Sequence, residues 1–167
     1  MNLEEAIQTA ISFENRIRDL YGDSVNRILD PAGRKFLAAL RDDEQHHMEY
    51  LESRLDLLRK TGRLHHEELM TRIRFDQRIP DETAKLEKRM PKKDLGDEKQ
   101  ILSRALQVEV ETSNFYKDMV QTFPKSGREM FARFVEIEDA HTHAVQMELD
   151  FLEKNGYWFD FKEFDME

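Results

Sequence analysis

The pattern that most constrains the fold is a pair of polar residues that occurs twice among helix-spaced apolar residues. Glu44 and His47 lie three residues apart, and so do Glu138 and His141. Apolar residues recur at steps of three and four on both sides of each pair. This spacing predicts two amphipathic helices whose polar pairs face a core and not the solvent.

The repetition extends to the segments that precede the two pairs. Glu14 lies 30 residues before Glu44, and Glu109 lies 29 residues before the second pair. A tyrosine follows each of these glutamates after seven residues, at Tyr21 and Tyr116. We therefore predict that each half of the chain forms a helical hairpin and that the two hairpins pack with approximate twofold symmetry.

The predicted fold is all-α, a single four-helix bundle over residues 1–167. The chain has only 6 glycines and 4 prolines, and 37% of its residues are charged, as is typical of long amphipathic helices. We predict helices at about 3–28, 31–60, 97–123 and 127–154, a linker at 63–95 and an aromatic tail at 156–167. So long a connection between the second and third helices can join two parallel helices, or exchange a helix pair with a second subunit.

Capping residues mark the predicted helix ends. The predicted N-caps are Asn2 (with Glu5 in a capping box), Asp30 (before Pro31), Asp97, and Ser126 (in a box with Glu129). Within the linker we predict one short helix around Glu67–Phe75. We expect the tail aromatics to pack on the bundle end or on another subunit; these are Tyr157, Trp158, Phe159, Phe161 and Phe164.

Six polar residues on core-facing stripes indicate a metal site. A buried, isolated carboxylate costs several kcal/mol, and four of them together would repel one another and take up protons. Two divalent cations would neutralise four carboxylates, and two imidazoles would complete their ligand shells. Residues three apart on a helix differ in height by about 4.5 Å, so both can reach the same metal centre. The candidate ligands are Glu14, Glu44, His47, Glu109, Glu138 and His141.

Other interpretations stay open. The six residues would be an ordinary solvated face if all four stripes were out of phase, and the bundle could bind metal without turnover. Tyr21 and Tyr116 either orient ligand carboxylates or fill the core. Asp43 and Asp139 are candidates to bond a ligand histidine on an adjacent helix. Surface or loop positions are expected for the remaining histidines, which are His46, His65, His66 and His143.

Composition excludes several classes of function. The net charge of -9 argues against a nucleic-acid or anionic-membrane partner. The absence of cysteine excludes disulfides, thiol catalysis and cysteine-ligated metal centres in this chain. There is no apolar run of about 18 residues and no secretory signal, so a cytoplasmic location is expected.

Around these residues the chain resembles the rubrerythrin-type branch of the ferritin-like superfamily. The strings that carry the resemblance are FENRIRDLY, LRDDEQHHMEYLE, VEVETSNFY and VEIEDAHTHAV. The resemblance implies two iron ions, although manganese or another divalent metal would suit the same ligands. It further implies that Glu44 and Glu138 bridge the metals, that His47 and His141 are terminal ligands, and that the site reacts with peroxide or dioxygen.

The chain departs from that family in two respects. It has no cysteine-rich rubredoxin domain to deliver electrons, so an external donor is required. A further glutamate, associated with peroxidase behaviour, is replaced by Thr112, and the nearby Glu111 is out of phase with the stripe. The expectation is a binuclear iron oxidoreductase in a homodimer or small homo-oligomer; the alternatives are non-catalytic iron binding, ferroxidase-type iron handling and a structural bundle.

Overall fold

The computed structural model describes residues 1–73 and 96–160, and in those ranges the regular structure is entirely helical. The helices are α1 (Leu3–Val25), α2 (Pro31–Thr61), α3 (Gly96–Thr122) and α4 (Lys125–Asn155). α1 pairs with α2 and α3 pairs with α4, and α1 also packs against α3. The prediction of an all-α four-helix bundle built from two hairpins is confirmed.

Contacts between helices give the direction of α1, α2 and α3. Arg59 near the end of α2 binds Glu4 at the start of α1 at 2.8 Å, so these helices are antiparallel. Tyr21 of α1 bonds to Glu109 of α3, whereas Glu14 bonds to Tyr116, so α1 and α3 are also antiparallel. α2 and α3 therefore run parallel.

The first two helices begin as predicted. Asn2 and Glu5 form the capping box, and the Asp30 carboxylate accepts hydrogen bonds from the amides of Ala32 and Gly33. At the other ends of α2 and α4, Gly62 and Gly156 have φ of 69° and 75°. Glycine is the residue that adopts this left-handed conformation without strain.

Three predicted helix ends are wrong. α1 stops at Val25 and not at residue 28, because the Ser24 carbonyl accepts from both Arg27 and Ile28 and closes a turn. α3 includes Asp97 in its first turn, so this residue is not the cap. α4 begins before Ser126, because the Pro124 carbonyl already accepts from the Arg128 amide, and no side chain caps it.

The short helix predicted around Glu67–Phe75 is wrong over its described part, because residues 67–73 are not helical. Their backbone carbonyls bond to side chains of the bundle instead: Glu67 accepts from Tyr50 and Leu69 accepts from Arg133. The rest of the linker, residues 74–95, lies outside the described residues.

Two apolar clusters fill the bundle, one on each side of its middle. One contains Ile17, Leu40, Leu102 and Val145, and the other contains Ile7, Leu51, Phe131 and Phe134. The six predicted ligands lie on the same helix faces, between these clusters. No helix in the described ranges is long and apolar enough to cross a membrane.

The described part of the tail packs on the bundle end, as one of the two alternatives predicted. Trp158 is fully buried, with its ring centroid 6.4 Å from that of Phe36. Tyr157 and Phe159 are also buried and pack against Phe151. The other two tail aromatics, Phe161 and Phe164, lie outside the described residues.

Candidate metal centre

All four helices contribute polar side chains to the middle of the bundle. α1 and α3 each supply one glutamate, and α2 and α4 each supply a glutamate and a histidine one turn apart. Every one of these side chains is fully buried: Glu14, Glu44, His47, Glu109, Glu138 and His141. The structure thus brings together all six of the residues predicted from the sequence, within a single chain.

The six side chains form two overlapping groups of potential ligands. The His47 group consists of Glu14, Glu44, His47 and Glu138, and the His141 group consists of Glu44, Glu109, Glu138 and His141. In each group, one ligand atom from every residue lies within 4.8 Å of the others. The two groups share Glu44 and Glu138, so these carboxylates lie between two adjacent positions that can each hold a metal ion.

In the His47 group, the donor atoms face one another at short distance. His47 Nδ1 lies 3.0 Å from Glu44 Oε2, 3.3 Å from Glu14 Oε2 and 3.6 Å from Glu138 Oε1. The ring of His47 stacks on that of His141 with centroids 5.4 Å apart. The imidazole therefore presents Nδ1, and not Nε2, to the carboxylates.

In the His141 group, several potential metal-ligand atoms lie close together but lack hydrogen-bond partners. His141 Nδ1 lies 2.7 Å from Glu44 Oε1, yet neither atom makes a hydrogen bond of acceptable geometry. Within the described residues, Glu109 Oε2 and both oxygens of Glu138 also have no partner. Buried polar atoms normally have one. Oxygen and imidazole atoms that converge in this way fit a divalent cation such as Fe²⁺ or Mn²⁺.

Burial and mutual repulsion shift the pKa values of the carboxyl groups. Burial, with the added charge of Glu44, raises the pKa of Glu14 to about 8 and that of Glu109 to about 7. The same two causes raise the pKa of Glu138 well above its usual range. Three of the four glutamates therefore hold protons more tightly than glutamate does in water.

Glu44 and the histidines behave in the opposite way. Burial would raise the pKa of Glu44, but the positive charges of His141 and His47 outweigh it and lower that pKa. Burial would lower the pKa of His47, but attraction to Glu44 raises it to about 10. Attraction to Glu44 likewise outweighs burial and raises the pKa of His141 well above its usual range, so both imidazoles hold protons more tightly than histidine does in water. Metal binding must displace these protons, because ligands bind metals in their deprotonated forms.

The two tyrosines bond across the bundle to the glutamates of the opposite hairpin. The Tyr21 hydroxyl donates to Glu109 Oε1, and the Tyr116 hydroxyl donates to Glu14 Oε1. Both tyrosines are fully buried. Each hydroxyl thereby fixes one carboxylate oxygen. The other oxygen of Glu14 lies 3.3 Å from His47 Nδ1, and the other oxygen of Glu109 is buried without a hydrogen-bond partner among the described residues.

Of the two aspartates considered from the sequence, only Asp43 reaches a histidine of the centre. Asp43 Oδ2 lies 3.0 Å from His141 Nε2, and the charge of His141 contributes to lowering the pKa of Asp43 to about 2 against the opposing effect of burial. Asp139 instead accepts hydrogen bonds from Ser113 at 2.6 Å and Lys117 at 2.9 Å. The suggestion that Asp139 supports a ligand histidine is wrong, because its side chain points outside the bundle.

The remaining histidines lie where the sequence placed them. His46 and His143 are exposed on the helices, and His65 and His66 are exposed in the segment after α2. Glu111 is likewise exposed and pairs with Arg16 at 2.7 Å. Thr112 is buried, but its hydroxyl donates to the Val108 carbonyl of its own helix and not to the carboxylates.

Two further residues support the centre, and neither was predicted from the sequence: Thr71 after α2 and Arg133 of α4. Thr71 donates a hydrogen bond to Asp43 Oδ2. Arg133 donates to the Leu69 carbonyl at 3.1 Å, which holds the chain beside Thr71. No periodicity or motif marks Thr71, because it lies in a non-helical segment whose path depends on the folded bundle.

Comparison with known proteins adds no family assignment. No protein-family model matches the chain, and neither the curated proteins nor the solved structures include a significant match.

Proposed function

We propose that this chain is a ferritin-like binuclear iron protein of the rubrerythrin type that acts as an oxidoreductase on peroxide or dioxygen. The observation that carries the proposal is the sharing of Glu44 and Glu138 by two groups of potential ligands. Dimetal carboxylate bundles bind their metals with one glutamate from each of two helices and a Glu-x-x-His pair from each of the other two. The motifs of the sequence agree with this geometry.

The proposal assigns a role to each side chain. Glu44 and Glu138 would be shared by both metal positions, Glu14 and His47 would complete one, and Glu109 and His141 would complete the other. Two iron ions held in this way would supply the electron exchange with the oxidant. The tyrosines keep Glu14 and Glu109 in place, and the apolar clusters on both sides restrict the access of water.

A cleft of about 430 Å³ offers a small oxidant an approach towards the centre. Its lining includes Asp43, His46, Thr71 and Arg72, so it lies where the segment after α2 meets α2. Asp43 lies between this cleft and His141. Since the chain contains no cysteine, the electrons come from a separate donor or from ferrous iron itself.

Iron handling without catalytic turnover is the second candidate function. Thr112 occupies the position of the additional carboxylate linked to peroxidase behaviour in rubrerythrins, and it bonds to its own helix. This leaves the simpler shell of four glutamates and two histidines, which favours binding or single oxidation of ferrous iron.

The metal assignment is tested by metal analysis of purified protein reconstituted with Fe²⁺ under anaerobic conditions. We expect two ions per chain in the wild type and none in Glu44→Ala or Glu138→Ala, because each variant removes a shared ligand. Glu148→Ala is a matched control, since Glu148 is an equally buried glutamate of α4 outside both groups. Unchanged iron content in both ligand variants would disprove the assignment.

The reaction is tested by mixing the reduced, iron-loaded protein with peroxide or with dioxygen in a stopped-flow instrument. Repeated turnover of peroxide with an added electron donor supports the oxidoreductase proposal. A single oxidation of the bound iron, followed by release or retention of ferric iron, supports iron handling. An iron-loaded protein that is inert towards both oxidants would exclude the catalytic proposal.

A further inference from the structure

The segment that follows α2 lies along the bundle in an ordered way; we call residues 64–73 the strap. Arg54, buried in α2, donates to the His65 carbonyl at 2.9 Å and pairs with Glu67. Further along the strap, Arg133 of α4 holds the Leu69 carbonyl. The strap thus runs back along α2, opposite to the direction of that helix, and is held by both α2 and α4.

The far end of the strap contacts the residue that supports His141. The Thr71 hydroxyl donates to Asp43 Oδ2, and the Arg72 amide donates to Asp43 Oδ1 at 3.0 Å. Two apolar strap residues, Leu69 and Ile73, are each only 2% exposed, so the strap is seated by burial as well as by hydrogen bonds. Both oxygens of Asp43 are therefore fixed by the strap.

Only one of the two central histidines receives this support. His141 Nε2 lies 3.0 Å from Asp43 Oδ2, whereas His47 Nε2 lies 4.0 Å from the same oxygen. In the part of the chain that the structure describes, His47 Nε2 has no hydrogen-bond partner. The repeat explains the difference, because the residue of α4 that corresponds to Asp43 is the apolar Ile137.

A carboxylate bonded to the second nitrogen of a ligand histidine has a known effect on metal binding. It keeps the proton on Nε2, directs the lone pair of Nδ1 to the metal and makes the imidazole a stronger donor. Loss of such a partner lowers metal affinity by about 10- to 100-fold. A hydroxyl that fixes the carboxylate influences the metal through the same contacts.

We propose that Thr71 is a positioning residue that acts through Asp43 on His141 and makes the His141 group the tighter of the two metal positions. This inference rests on the proposed binuclear site. It goes beyond that site by ranking its two positions and by giving the strap a part in metal binding.

The test is a calorimetric titration of metal-free, full-length protein with Mn²⁺. Thr71→Val removes the hydroxyl at nearly constant volume, and Thr71→Ser retains it. In Thr71→Val we expect the Mn²⁺ affinity of the tighter binding step to fall by roughly tenfold, and that of the weaker step to change by less than twofold. Thr71→Ser should restore the affinity of the tighter step. Thr9→Val is the matched control, since Thr9 is half-buried like Thr71 and its hydroxyl bonds to the Glu5 carbonyl of its own helix, away from the strap.

Single-position backgrounds show which metal position responds. Glu14→Ala leaves the His141 group complete, and Glu109→Ala leaves the His47 group complete. We expect Thr71→Val to weaken Mn²⁺ binding in the first background and to leave it unchanged in the second. A merely structural effect of the strap would weaken both equally.

Three results would overturn the inference. The first is equal weakening, or no weakening, in the two backgrounds. The second is a Thr71→Ser variant that binds as weakly as Thr71→Val. Either of these, with two Mn²⁺ ions bound by the wild type, would leave the proposed binuclear site standing. A wild type that binds no divalent metal would overturn the site and this inference together.

Discussion

The two helical hairpins carry the same residues at the centre of the bundle and different residues around it. Glu14, Tyr21 and the Glu44–His47 pair of the first hairpin have counterparts in Glu109, Tyr116 and the Glu138–His141 pair of the second. Away from the centre, Asp43 corresponds to Ile137, and Arg54 corresponds to Glu148. The repetition therefore concerns the ligands, whereas the surroundings of each hairpin are its own.

The corresponding residues Arg54 and Glu148 show how the different surroundings of the two hairpins affect the chain that follows each hairpin. Both side chains are buried two turns beyond a central histidine, and each binds the backbone of the segment that follows its helix. Arg54, a cation, binds the carbonyl of His65, and Glu148, a carboxylate, accepts from the amide of Phe159 at 2.6 Å. Equivalent positions thus anchor a strap that reaches the metal ligands and a tail that closes the bundle end.

Among substitutions that distinguish the two hairpins, the largest expected effect comes from removing one unshared ligand from either half. Glu14→Ala and Glu109→Ala should each reduce the metal content from two ions per chain to one, because each leaves the other group complete. Metal analysis after dialysis at limiting Mn²⁺ measures this, and the ion in Glu14→Ala should be retained better. Loss of both ions from either variant would show that the halves do not bind independently.

The next largest effect is expected in the pH dependence of stability, which should differ between the metal-free and the metal-loaded protein. In metal-free protein the pKa values of Glu14, Glu109 and His47 are raised to about 8, 7 and 10. A group whose pKa is higher in the folded protein than in the unfolded protein stabilises the fold. This stabilisation is complete at pH values below the unfolded-state pKa and is lost as the pH rises through the folded-state pKa. Metal-free protein should therefore become less stable by several kcal/mol between pH 5.5 and 9.

The loaded protein should behave in the opposite way, since metal binding releases protons and strengthens as the pH rises. Thermal denaturation with and without Mn²⁺, repeated at several pH values, measures the gap between the two forms. We expect this gap to widen from pH 5.5 to 9. A constant gap would mean that the six residues do not exchange protons for metal.

A smaller effect should follow from disturbing the docked tail. A Cβ at Gly33 would lie 2.6 Å from the ring of Trp158, and this bulky ring has no room to move. Gly33→Ala should cost about 1–3 kcal/mol of unfolding free energy through overpacking. Trp158 is the only tryptophan, so a red shift of its emission would report displacement of the tail.

The control for this variant is Gly22→Ala in α1. A Cβ there meets only Arg41 Cδ at 3.7 Å, an ordinary contact. Alanine is a better helix former than glycine by about 1 kcal/mol, so this variant should be slightly more stable than the wild type. Equal destabilisation by the two substitutions would contradict the tail docking.

The smallest effect is expected at Glu148. Burial raises the pKa of Glu148 well above its usual value, despite the Phe159 amide, so its stabilising contribution is lost as the pH rises above 4.5. Glu148→Gln keeps an acceptor for that amide but cannot ionise, and should be more stable than the wild type at pH 8. Urea denaturation at pH 5 and pH 8 measures the difference, which should vanish at the lower pH.

Much of the fold and the whole of the candidate ligand set could be predicted from the sequence. Glu44 and His47 lie one helical turn apart on a stripe with Leu40 and Leu51, and such a stripe has to be buried. The helix ends at Pro31, Gly62 and Gly156 were also predictable, since they depend on backbone preferences of single residues. Ser126 was misjudged as a cap because the helix already begins at Lys125, with Pro124 as its N-cap.

The features that the sequence predicts are therefore local and periodic: four amphipathic helices and a set of polar residues that must meet in their core. Tertiary structure decided which tyrosine bonds to which glutamate, that Asp43 and not Asp139 supports a histidine, and that Thr71 reaches Asp43. These pairings join residues far apart in sequence, so no helical period records them. They exist only because the bundle brings an irregular segment and two hairpins to the same place.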